Sequence, residues 1–238
     1  MKPFAAPPVR QAKENYVSIF RSSTTILGLL AASACNVADS GPPANQAGGN
    51  AAAAPASRPG NAQAPRLTQA QSDVRAEFEG LRFVVDISDR KVRLLRGDQQ
   101  LEEHPVAVGS QRWPTPTGTW TIHQVDINPD WNPPRDESWT EDREAKAPGE
   151  AGNPMGRARL VYRMPNTIHG TDDRRSLGQA VSHGSIRVGN DVVLRLAEIL
   201  LRAGGAWEGP DWFRGMTENR TRMVEVRLPY PVPIEVRE

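Results

Sequence analysis

The sequence predicts a mainly β domain with one main helix, carried behind a long leader of low complexity. Three observations lead there. Segments of β-branched and alternating residues begin at Leu81 and recur down the chain. A sustained apolar period of about 3.6 residues appears once, over 191–202. Between 36 and about 66 the chain is dominated by Ala, Pro, Gly and Asn, a composition that buries too little surface to offset the entropy of ordering it.

Residues 82–88 and 91–95, separated by Asp89 and Arg90, read as paired strands, and 103–109 and 118–123 as two more. Residues 113–118 form a turn-rich link in which two prolines fix φ and Gly118 permits unusual backbone angles. The long connection over 126–156 holds Pro129, Pro133, Pro134, Pro148 and Pro154, with Trp131 and Trp139 among charges. A connection of this length reads as a lid or binding loop. The two tryptophans suit pinning that loop to the core and contacting a ligand equally well.

Strand character returns at 159–162 and, after Pro165, at 167–170. Asn190 is expected to cap the helix, which carries Val192, Val193, Leu196, Ile199 and Leu200 on one side and ends at Gly204 and Gly205. A last strand is expected over 222–228, ahead of a turn from Pro231 to Pro233, and the Trp207, Trp212 and Phe213 cluster is expected to pack the C-terminal tail. The organisation read from the sequence is a signal peptide over 1–35, a flexible tether over 36–80, a folded domain over 81–203, and a C-terminal extension over 204–238 packing on it.

Among the 238 residues, Lys and Arg number 29 against 28 Asp and Glu, and no basic stripe stands out, so a nucleic-acid partner is not expected. The single cysteine excludes an internal disulfide framework and a cysteine-based zinc site. No cofactor or metal is expected. That cysteine, Cys35, closes an apolar run from Thr24 that follows Arg21, the pattern of a secretory signal too short to span a bilayer. Ala32, Ser33, Ala34 and Cys35 resemble a bacterial lipobox, in which the cysteine is lipidated; the alternative is a plain signal peptide with Cys35 incidental. A lipid anchor on the membrane, an envelope or periplasmic location and a reach-extending tether are the corresponding expectations. Pro3, Pro7, Pro8 and Glu14 fit poorly in a signal's charged end, so initiation at Val17 is expected and residues 1–16 are expected not to be made.

Two of the four histidines lie close to one serine: His169 in the stretch Ile168 to Gly170, and His183 in the stretch Ser182 to Arg187, with Ser185 at its centre. A histidine, a serine and glycine-flanked turns just ahead of a helix suit acyl transfer, because a base must reach the hydroxyl and small residues let backbone N–H groups face an oxyanion. His104 and His123 fall in expected strands away from this cluster and read as ordinary strand histidines. Asp172 and Asp173 read as loop residues.

The stretches Ile168 to Thr171, Ser176 to Gly178, Ser182 to Arg187 and Asn190 to Asp191 together resemble the signature of the L,D-transpeptidase (YkuD) catalytic domain family. Pro114 to Trp120 and Asn153 to Gly156 resemble two further family stretches in the same order, so the likeness covers roughly residues 81–202. The resemblance implies a β-sandwich-like domain that attacks a peptidoglycan stem tetrapeptide, releases D-alanine, holds the rest as an acyl-enzyme and passes it to an amine or to water. His169 matches the family's base and Ser185 stands where its nucleophilic cysteine stands. Ser182, His183, Gly184, Arg187 and Gly170 match residues around the oxyanion site and pocket.

The serine changes the chemistry. A cysteine beside a histidine exists partly as thiolate, whereas a serine must lose its proton during attack, so His169 would act as a concerted general base. Three readings of Ser185 are open: a working serine nucleophile, a domain that binds stem peptides without turnover, or an engineered change in a cysteine enzyme. The first is adopted, with the binding-only wall protein as alternative; a structural envelope tether would need only the lipid and the fold.

Overall fold

The computed structural model of the protein describes residues 66–135 and 137–238. The signal segment, Cys35, the start at Val17 and the tether up to residue 65 lie outside the described residues.

Ten strands, β1 (Leu81–Asp86), β2 (Lys91–Arg96), β3 (Gln99–Pro105), β4 (Val108–Gly109), β5 (Gly118–Ile127), β6 (Ala158–Arg163), β7 (Asn166–Thr171), β8 (Ala180–Ser182), β9 (Ile186–Gly189) and β10 (Val224–Arg237), are joined by three helices, α1 (Gln69–Ala76), α2 (Asn190–Ala203) and α3 (Pro210–Glu218). Eight strands form one sheet in the order β3-β2-β1-β10-β5-β6-β7-β9, and β4 pairs with β8 in a small second sheet. The mainly β architecture with its main helix directly after the histidine and serine motif is the one expected. Pairing is antiparallel except for β1 with β10, β7 with β9 and β4 with β8.

Alternation along the strands separates two faces. Val125 and Ile127 of β5, Ala158, Leu160 and Tyr162 of β6, Ile168 of β7, and Ile186 and Val188 of β9 all enter one apolar core. Helix α2 covers that core with Val193, Leu196, Ala197, Leu200 and Leu201. Each buried Val, Leu and Ile side chain contributes roughly 1.5–3 kcal/mol through the area it removes from water. Because successive strand residues point to opposite faces, Asp126, Arg159, Thr167, His169 and Arg187 are all directed away from α2, onto the face that carries the site.

Three local expectations are corrected. Residues 69–76 of the expected tether form α1, stabilised by a reciprocal capping box between Thr68 and Gln71 and by Val74 and Phe78 against the core. The C-terminal stretch is more than a packed extension: β10 lies inside the sheet between β1 and β5. It continues through the expected Pro231 turn because a register shift between Arg227 and Val232 absorbs Pro229 and Pro231. The Trp207 cluster packs the C-terminal segment as expected, Trp207 lying buried in the core with Leu228 and meeting Trp212 and Phe213 of α3. Finally, Gly189 rather than Asn190 is the N-cap of α2, and the Asn190 side chain is used elsewhere.

Candidate active site

The site begins with register. On the face opposite α2, Arg159 of β6 sits beside His169 of β7, and His169 sits beside Arg187 of β9. One step along, the Thr167 backbone N–H donates to Ser185 Oγ at 3.2 Å. Ser185 therefore lies diagonally from His169, with about 8 Å expected between their Cα atoms from strand spacing and rise. These residues line a cleft of about 450 Å³.

His169 is 3 % exposed. Its Nδ1 is 2.9 Å from the Gly170 carbonyl oxygen. A carbonyl can only accept, so Nδ1 carries the proton and Nε2 holds the lone pair of the neutral ring. Burial pushes the His169 pKa down to about 4; the Gly170 and Pro154 carbonyls oppose that shift, while the Arg187 and Arg159 cations reinforce it. The imidazole is thus a neutral proton acceptor throughout the physiological range. No direct hydrogen bond joins it to Ser185, whose hydroxyl oxygen is engaged by Thr167 instead.

The turn that presents Ser185 is built by Ser182. Its buried hydroxyl donates to the Ser185 carbonyl at 2.5 Å and accepts from the Gly184 N–H at 3.2 Å. Gly184 has φ of 98°, a conformation that calls for glycine, and a Cβ there would also displace the Asn166 side chain, 2.6 Å away at Nδ2. The Gly184 N–H is committed inside the turn; Gly184 shapes the loop rather than offering that donor to the cleft. Gly109 and Thr115 brace the loop from the other side through a 2.8 Å hydrogen bond from the Gly109 N–H to Thr115 Oγ1, and Ser110 N–H donates to the Ser182 carbonyl.

His183 belongs to the wall. Trp139 stacks on it with ring centroids 3.9 Å apart and planes 17° from parallel, and Trp113 lies 4.4 Å away on a tilted plane. In the long loop, Trp131 is buried and pairs its backbone with Lys146, and Trp131 and Trp139 both line the cleft. Burial, followed by the Arg187 and Arg143 cations, lowers the His183 pKa. Arg187 is half-buried and burial lowers its pKa too. Outside the site, His104 pairs with Glu102 at 2.9 Å, and His123 Nδ1 lies 3.3 Å from the Thr121 carbonyl.

Several contributors escape local sequence reading. Asn190 Oδ1 accepts from the Arg157 N–H at 2.8 Å, and its Nδ2 donates to Asp172 at 2.7 Å. A Cβ on Gly156 or on Gly170 would lie 2.2 Å from that same Oδ1. One amide therefore fastens the loop ending at Gly156 to the strand whose carbonyl orients His169, and explains both glycines. Arg159 and Asp126 are likewise invisible locally, because only the β5, β6 and β7 register brings Arg159 beside His169 and Asp126 beside Arg159.

A buried neutral histidine and a serine on a constrained glycine turn thus face one cleft. The family model of the YkuD L,D-transpeptidase catalytic domain matches residues 81–226, and the chain belongs to that family. Proteins named as L,D-transpeptidase YkuD in Bacillus licheniformis and Bacillus subtilis are each 32 % identical to it, over 120 and 119 residues, covering 50 % of this chain. The chain spans 59 % of the length of each of these relatives. An L,D-transpeptidase structure from Mycobacterium smegmatis aligns at 18 % identity with a TM-score of 0.41, covering 67 % of this chain and 59 % of that one.

Proposed function

We propose that the chain is an L,D-acyltransferase of peptidoglycan stem tetrapeptides, with Ser185 as nucleophile and His169 as general base. The observation that carries this reading is the fixed tautomer of His169: its Nδ1–H is held by the Gly170 carbonyl, leaving Nε2 as acceptor in the cleft that Ser185 shares. Ser185 Oγ attacks the carbonyl carbon of the third stem residue while its proton passes to His169 Nε2. The tetrahedral intermediate collapses, the C–N bond breaks, and His169 returns the proton to the departing D-alanine amine. The acyl group remains on Ser185 as an ester.

An acceptor amine, or water, then attacks the ester and loses its proton to His169, which delivers it to Ser185 Oγ. The products are a cross-link with an amine and a tripeptide with water. An ester is less biased toward amines than a thioester, so hydrolysis competes more strongly than in a cysteine enzyme. Incubation of the full chain with stem tetrapeptide, with D-alanine release followed by mass spectrometry, tests the proposal; absence of release from folded protein refutes it.

The alternative is a binding-only domain, favoured by the hydrogen bond that Ser185 accepts from Thr167 in place of one with His169. It predicts saturable tetrapeptide binding without release. The envelope location and lipid anchor on Cys35 belong to the same proposal: labelling with a palmitate analogue should be lost in Cys35→Ala, and labelling that persists in that variant rejects the anchor.

A further inference from the structure

Across the site face, four strands place ionisable residues in register: Asp126 of β5 opposite Arg159, Arg159 opposite His169, and His169 opposite Arg187. Asp126 is completely buried. Its Oδ2 accepts from Arg159 Nε at 2.7 Å and its Oδ1 accepts from Gln124 Nε2 at 2.7 Å. Only Nε of Arg159 is used in this way. Among the described residues, its two terminal nitrogens have no acceptor, although the side chain is only 17 % exposed and lines the cleft.

A guanidinium clamped through Nε by a buried carboxylate keeps its outer edge fixed in direction. That edge offers two parallel N–H donors matched to a second carboxylate. A charged group taken this far out of water with unused donors is stabilised when an anion completes it. Arg159 is thus preorganised toward the cleft by Asp126.

Position supplies the identity of the anion. The leaving amine must receive its proton from His169, so the leaving residue lies on the side of the scissile carbon nearer His169 than Ser185. Ser185 sits on the β9 side of the base and Arg159 on the β6 side, two strand spacings apart across the sheet and two residues apart along it, about 12 Å between Cα atoms. The terminal carboxylate of a single leaving amino acid follows its amine by two bonds and reaches the β6 side there. A further residue, or a neutral end, would leave the guanidinium uncompleted.

We propose that Arg159, held by Asp126, binds the free C-terminal carboxylate of the leaving residue and so restricts the site to peptides that end one residue beyond the scissile bond. The inference rests on the acyltransferase reading for the direction of the substrate and concerns selectivity within it. Arg159 acts here as a specificity residue.

The test compares two ligands within one protein, which makes the readout independent of the folded fraction. In the full chain carrying Ser185→Ala to stop turnover, calorimetry measures Kd for a stem tetrapeptide and for the same peptide with its C-terminal carboxyl amidated. The free acid should bind at least tenfold more tightly. Removing one partner of a buried pair endangers folding, so the second protein adds Asp126→Asn together with Arg159→Gln. In it the ratio should fall to about one. Equal affinities in the first protein overturn the proposal. A ratio retained in the second also overturns it and places the carboxylate on another cation lining the cleft, Arg187 or Arg143. These outcomes are separate from failure of the acyltransferase reading, which appears as no D-alanine release by the unsubstituted chain whatever the affinity ratio.

Discussion

Acidification should destabilise this domain through His169 before its carboxylates contribute much. The ring titrates at about 4 in the folded protein against an ordinary 6.5. Since the folded state resists protonation, stability is full above pH 6.5 and is lost as pH falls toward the folded value. At about 1.4 kcal/mol per unit, the loss is about 2 kcal/mol at pH 5 and about 3 kcal/mol below pH 4. Glu102 behaves differently: burial pushes its pKa up, but hydrogen bonds from His104 and Arg195 outweigh that and hold it at about 2, so its loss occurs mainly below pH 4.5. Urea unfolding at pH 7 and pH 5, for the chain and for His169→Asn, isolates the histidine. The difference in pH dependence between the two should be about 2 kcal/mol, with the wild type the more acid-sensitive. His183, also lowered in pKa, titrates in both proteins and cancels in the comparison. Identical pH dependence would show that His169 is not held neutral by its surroundings and would remove the physical basis for its role as base.

Ser185→Cys should gain amine transfer at the expense of hydrolysis and become sensitive to thiol alkylation, because a thioester favours amine attack; the unsubstituted domain should resist, its only cysteine being Cys35. A folded, tetrapeptide-binding cysteine variant that neither acylates nor transfers would favour the binding-only reading. Asn190→Ala removes two hydrogen bonds and strands the Arg157 N–H, which should cost roughly 1–3 kcal/mol; chemical denaturation measures this, and no change in stability would contradict the fastening role. Trp139→Ala loses the stack on His183, an aromatic contact of about 0.5–1.5 kcal/mol. Tetrapeptide affinity should fall about three- to tenfold in a calorimetric titration, and unchanged affinity would confine Trp139 to loop packing.

The residues around the site were legible one by one. His169, Gly170, Ser182, His183, Gly184, Ser185 and Arg187 fall in short contiguous stretches; His169, Ser182, His183, Ser185 and Arg187 line one cleft, Gly184 shapes the turn beside it, and the Gly170 carbonyl meets His169. Their detailed use differs where hydrogen bonding decides it. The Gly184 N–H is taken by Ser182, and Ser185 is held by Thr167. Neither choice leaves a trace in residue type or spacing.

What the sequence alone determined is what depends on local chemistry: the β period of the strands, the apolar stripe of α2, the glycines where φ is positive, and a histidine and serine close along the chain. Tertiary structure alone decided everything that depends on register between strands distant in sequence. It set β10 inside the sheet, and it aligned Asp126, Arg159, His169 and Arg187 across four strands. The physical reason is that a strand's own sequence specifies which face each side chain takes, whereas its neighbour and offset are chosen by the packing of the whole core. For this chain the chemistry of the cleft lies in that offset: it puts two cations beside a buried base and leaves one of them locked, with its donors still unspent.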